Sequence, residues 1–157
     1  MSYQKILVAI DHSERANIVF EEALHLAKEN QAKLLVFYCQ PFEEGINLKR
    51  SVYSGEFITQ VQDLQTELER EEEGDRAFLA QYLEKAKEYG LEAECGLKRG
   101  DAGRWICSVA KSWQADLIAI GRRGHSGLTE LFLGSVSNYV LHHASCSVLI
   151  VQGKGKA

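Results

Sequence analysis

Apolar and polar positions along the chain follow two alternating rhythms. Ile6-Leu7-Val8-Ala9-Ile10 is an unbroken apolar run, which suits a strand covered on both faces. Lys33-Leu34-Leu35-Val36-Phe37-Tyr38-Cys39, Asp116-Leu117-Ile118-Ala119-Ile120 and Cys146 to Val151 repeat it, and Leu91 to Leu97 alternates more loosely. Between these runs the apolar period lengthens to about 3.6 residues, that of an amphipathic helix. Ala16, Val19, Phe20, Ala23, Leu24 and Ala27 share one such face. Phe57, Val61, Leu64 and Leu68 begin a second, which Phe78, Leu79, Tyr82, Leu83, Ala86 and Tyr89 continue. Trp105, Ile106, Val109, Ala110 and Trp113 form a third, and Val136 to His143 reads as a fourth helix.

Local signals place the ends. Asp11-His12-Ser13 turns into the first helix, with Ser13, or Asp11 with Glu14, as its cap. Asn30 is expected to close that helix in a left-handed conformation, and Gly90 to stop the second helical region. A break is expected near Gly74. Asp101 is placed to cap the third helix, and Pro41, the one proline, to end the second strand. Phe42 to Gly55 has no period and reads as a long loop. Glu67, Glu69, Arg70, Glu71, Glu72, Glu73 and Asp75 read as a solvated helix surface, with a cation-dependent or partner-binding role as the alternative.

Five strands alternating with four helical regions predict the α/β class: an open sheet with helices on both faces. Ligands of such sheets sit at the carboxyl ends of the strands where the strand order reverses. One domain is expected over 1–157, with a core of about 4–152 and a loop plus acidic helical insertion over 41–75.

The fourth strand runs into Gly121-Arg122-Arg123-Gly124-His125-Ser126-Gly127 and on to Gly134-Ser135-Val136-Ser137 at the last helix. Glycines between a strand and a helix start let backbone amides approach an anion, and the helix terminus favours its charge. Ser135 and Ser137 add hydroxyls, and Arg122 and Arg123 add cations. An ordinary turn whose glycines only shape the chain is the alternative.

The spacing Gly121-x2-Gly124-x9-Gly134-Ser135 resembles the nucleotide-binding loop of the universal stress protein family, in its ATP-binding branch. Val8-Ala9-Ile10-Asp11-His12-Ser13, Gly100-Asp101-Ala102 and Ser145 to Val151 resemble that family's first strand and turn, third-helix turn and last strand. The resemblance implies a five-stranded parallel sheet of order 3-2-1-4-5, a Rossmann-like adenine-nucleotide fold. It implies that Asp11 meets the adenosine part and that Phe37 stands beside the base. It implies ribose and phosphate contacts at Gly121, Arg122, Arg123, Gly124, Gly134, Ser135, Val136 and Ser137. The implied ligand is ATP, or ADP or AMP, with Mg2+ or Mn2+. A homodimer through the last strand is also implied. Ser147 departs from the pattern, since the family commonly has proline there, and no family residue maps onto 41–75.

Composition narrows the partners. A net charge of −4 from 18 basic and 22 acidic residues is no footprint for nucleic acid or an anionic membrane. No apolar run is long enough to span a bilayer, and the N-terminus enters a strand directly without a signal peptide. Cys39, Cys95, Cys107 and Cys146 lack short-range spacing and are expected as free buried thiols. A cytoplasmic location follows from these readings. Walker A, H-E-x-x-H, G-x-S-x-G and dinucleotide motifs are absent. His142 and His143 read as packing or dipole partners of the last helix. The favoured function is an ATP-binding stress-response or signalling module rather than an enzyme. A slow ATPase or phosphotransfer enzyme using His125 or Glu130, and a dimeric interaction protein with an empty slot, are the alternatives.

Overall fold

The computed structural model describes residues 2–42, 57–122 and 133–153. Among them the elements run β1 (Lys5–Ile10), α1 (Ala16–Asn30), β2 (Lys33–Gln40), α2 (Phe57–Glu88), β3 (Ala93–Arg99), α3 (Ala102–Trp113), β4 (Leu117–Gly121), α4 (Ser135–His143) and β5 (Ser147–Val151). The five strands form one sheet of order β3-β2-β1-β4-β5, parallel throughout, as expected. Val8 of the central strand stands between Val36 and Ala119.

Alternation along the strands sorts the core into two layers. Ile6, Val8 and Ile10 face Phe20 and Leu24 of α1 and Leu79, Tyr82 and Ala86 of α2. Leu7 and Ala9 face the opposite way, with Leu35, Phe37, Ile118 and Ile120, against Ile106 and Ala110 of α3 and Val140 of α4. A strand that must bury both faces leaves no position for a polar side chain, which is why β1, β2 and β4 read as continuous apolar runs. β3 is the exception: as an edge strand it has no fully buried residue. Its loose alternation places it two residues early in the sequence reading.

Several local expectations are corrected. α1 begins at Ala16, and neither Ser13 nor an Asp11–Glu14 pair caps it. Instead Asp11 Oδ1 accepts from the Ser13 amide at 2.9 Å, closing a side-chain turn ahead of the helix. Gln31, not Asn30, takes the left-handed position, with φ 55°. Asn30 is used elsewhere: its Oδ1 accepts from the Tyr3 amide and its Nδ2 donates to the Leu26 carbonyl. α2 runs unbroken through Gly74 for 32 residues. A solvent-facing glycine costs a helix about 1 kcal/mol relative to alanine, too little to interrupt a seam continued on both sides. Asp101 does cap α3, accepting from the Arg104 amide at 3.1 Å, and Gly90 follows α2 at φ 78°. The loop read over Phe42 to Gly55 lies outside the described residues apart from Phe42.

The four cysteines are free thiols, but they are not uniformly buried: Cys95 is exposed and the others are half-buried. Burial, and then the Asp101 carboxylate, push the Cys39 thiol up to about 11. Burial also raises Cys107 and Cys146. A thiol held protonated is a poor nucleophile. No helix among the described residues is long and apolar enough to cross a membrane.

Candidate functional site

From β1 the chain passes to β2 and β3 on one side of the sheet and returns to β4 and β5 on the other. At that reversal the carboxyl ends of β1 and β4 open a crevice, where loops diverge and leave room for a ligand. Its cavity is about 630 Å³, within the range of small-molecule sites. Asp11, Phe37, Gly121, Arg122, Val136 and Ser137 all line it. Gly134 and Ser135 stand at the start of α4 beside it, as N-cap and first helical residue. Arg123, Gly124, His125 and Glu130 lie outside the described residues.

Each wall has its own cause. Asp11 follows the last residue of the central strand, and its carboxylate is steadied by the Ser13 amide. Phe37 is paired in register with Ala9 and almost wholly buried. The neighbouring Gly96 on β3 allows this: a methyl group there would stand 3.1 Å from the Phe37 ring. Gly121 closes β4, and a methyl group on it would stand 2.8 Å from Val19 Cγ2 of α1. Close helix–strand packing therefore requires this glycine whether or not a ligand is present. Arg122 extends the ladder, its amide donating to the Val151 carbonyl. Arg15 Nη1 donates to the Arg122 carbonyl at 2.9 Å, tying the start of α1 to the end of β4.

The first turn of α4 forms the remaining wall. The Gly134 carbonyl accepts the first helical bond, from Asn138. The amides of Ser135, Val136 and Ser137 precede that bond, where a helix has no internal acceptor to offer. The helix points its positive end toward the cavity side of this turn. Ser137 is buried, and its hydroxyl donates to the Gly134 carbonyl at 3.1 Å. Its hydroxyl therefore braces the turn. Gly103 lets α3 pack against α4, since a methyl group there would stand 2.8 Å from the Tyr139 ring. Tyr139 in turn stacks on His143 at 3.9 Å, in keeping with a packing role for that histidine.

Two residues beside the crevice escaped the sequence reading. His12 lines it, and His12 Nε2 lies 3.2 Å from Asp75 Oδ1 on α2. Asp75 belongs by sequence to the acidic cluster expected to be solvated, yet it is only 7 % exposed. The spacing contained the signal: Asp75 stands three residues before Phe78 and four before Leu79, on the buried side of the helix. Glu71 is also drawn in, accepting from Gln40 Nε2 at 3.0 Å. Glu67, Glu69, Glu72 and Glu73 are solvated as expected.

Comparison with known proteins agrees with this architecture. Residues 2–152 match the model of the universal stress protein family. The chain is 44% identical over 153 residues to universal stress protein Sll1388 of Synechocystis, covering 97% of this chain and 99% of that one. Among solved structures it resembles a universal stress protein in complex with cAMP, at TM-score 0.67 and 22% identity over 97% of this chain and 98% of that one. It also resembles an Arabidopsis thaliana family protein with AMP bound, at TM-score 0.66 and 20% identity over 97% and 93%. This chain belongs to the universal stress protein family.

Proposed function

We propose that this chain is an ATP-binding member of its family, a stress-response or signalling module whose surface and partners change with nucleotide occupancy. The observation that carries the reading is the crevice where Asp11, Phe37 and Gly121 converge on the first turn of α4. An apolar wall, an acid at the strand end and a helix start are what a base, a ribose and a phosphate chain respectively require. The AMP and cAMP complexes of two proteins with this fold lend support. Arg123 and Gly124 are assigned to the same phosphate loop on their sequence spacing. ADP and AMP are alternative ligands. Mg2+ or Mn2+ would ride mainly on phosphate oxygens and water, with few protein ligands, as Mg2+ prefers.

The domain reading over 1–157 and a cytoplasmic setting belong to the same proposal, as does a homodimer formed edge to edge through β5. Ser147, the first residue of β5, adds an amide that proline would lack. Sedimentation at micromolar concentration should give the mass of a dimer, and a monomer would contradict that pairing. Nucleotide released by heat from purified protein should be ATP. ADP or AMP in stoichiometric amount, with turnover of added ATP, would favour a slow ATPase. Gly124→Asp and Ser135→Glu each place charge and bulk at the phosphates and should abolish ATP binding by calorimetry. Unchanged affinity in either would show that the phosphates lie elsewhere.

A further inference from the structure

We propose that His12 is a ligand-contacting residue of the crevice and that Asp75 is its positioning residue, so that α2 sets how the adenosine end of a nucleotide is received. The proposal rests on the nucleotide-binding reading above and extends it to a residue pair outside the glycine loop.

Three contacts fix the His12 ring. Phe78 lies against it with ring centroids 4.1 Å apart and planes tilted by 32°. Tyr38 meets it edge-on at 5.0 Å and 79°. Asp75 Oδ1 holds Nε2 at 3.2 Å. A carboxylate only accepts, so Nε2 carries the hydrogen of this bond. The ring nevertheless remains open: the His12 side chain is 54% exposed, and the residue follows Asp11 along the crevice wall. A ring clamped by one helix and one strand, yet half exposed on a residue that lines the crevice, is a preorganised contact surface.

Asp75 is otherwise hard to explain. Its Oδ2 is buried and has no hydrogen-bond partner among the described residues. Leaving a carboxylate oxygen unsatisfied is costly, and aspartate is a poor helix former. Leucine at this seam position, between Leu68 and Tyr82, would have continued the apolar face of α2. What aspartate provides there is one bond, to His12. What ties the pair to the adenosine end is Asp11, the residue before His12 in the same crevice wall, while Tyr38 and Phe37 reach the cavity from opposite faces of β2.

The test is ATP affinity by calorimetry in the full chain and its variants. Loss of one stacking or edge contact to a base weakens binding by about tenfold, and His12→Ala should do this. Asp75→Leu should weaken binding as much, because it releases the same ring. Asp75→Asn keeps an oxygen acceptor for Nε2–H and should restore affinity to near the wild-type value. Combining His12→Ala with Asp75→Leu should cost no more than His12→Ala alone, since both act through one ring. In the unmutated protein, the His12 ring proton resonances should shift when ATP is added. Wild-type affinity in His12→Ala, multiplied losses in the double variant, an Asp75→Asn as weak as Asp75→Leu, or unmoved His12 resonances in ATP-bound protein would overturn the proposal. Absence of adenine-nucleotide binding by the wild type itself would overturn the reading beneath it, and so is distinguishable from failure of His12 alone.

Discussion

At the scale of single residues, the close approaches are set by pairs far apart in the chain. Gly121 and Val19 are an example, with 2.8 Å between a prospective methyl group and Val19 Cγ2. Gly121→Ala should therefore destabilise the protein by about 1–3 kcal/mol, the usual cost of overpacking. Val19→Ala in the same chain should recover much of that loss in urea denaturation. Full stability in the single variant would mean that α1 sits further from β4. Cys39 yields a second prediction. With its thiol pushed up to about 11 by burial and Asp101, it should react with iodoacetamide at neutral pH far more slowly than exposed Cys95. The sign is that of an acid whose protonated form is favoured, so the reactive thiolate appears only in strongly alkaline solution. The buried face of α1 was legible residue by residue, because Ala16, Val19, Phe20, Ala23, Leu24 and Ala27 are set by local period. The His12–Asp75 contact was not, because a buried acid on an acidic helix differs from its neighbours only in what lies across from it.

At the scale of elements, α2 departs most from what local signals foretold. Its 32 residues span about 48 Å at helical rise, whereas β3 with seven residues spans about 23 Å. The helix therefore outruns the sheet it packs on. Its second half is pinned by Leu79, Tyr82 and Ala86, while Ile58 near its start is 71% exposed. A Cβ on Gly74 would meet nothing within 4 Å. Gly74→Ala should therefore stabilise the protein by about 1 kcal/mol, as expected for an exposed helix interior. A neutral or destabilising result in thermal or urea unfolding would point to a break at that position. Strand boundaries moved by one or two residues because apolar runs mark burial, whereas pairing with a neighbour marks the strand. β3 pairs from Leu34↔Ala93 to Gln40↔Arg99, beyond its apolar stretch.

At the scale of the whole molecule, the architecture was the most legible feature. Runs apolar on both faces, separated by helical segments, leave few arrangements besides a covered parallel sheet. The crevice follows from that topology, since the chain reverses direction across the sheet between β1 and β4. Arg123 and Gly124 have only their sequence spacing to place them. Ligand binding to the folded state alone should also stabilise the molecule: at a hundredfold excess over Kd the expected gain is about 2.7 kcal/mol. ATP should accordingly raise the melting temperature, and Ser135→Glu should remove the rise while keeping the fold.

The seating of phosphates on the first turn of α4 is tested most directly by a backbone amide NMR titration with Mg-ATP. The predicted result is saturable movement of Ser135, Val136 and Ser137, together with Asp11, Gly121 and Arg122. Unmoved amides in that turn, with ATP bound and the changes centred on β3 or the far half of α2, would contradict it.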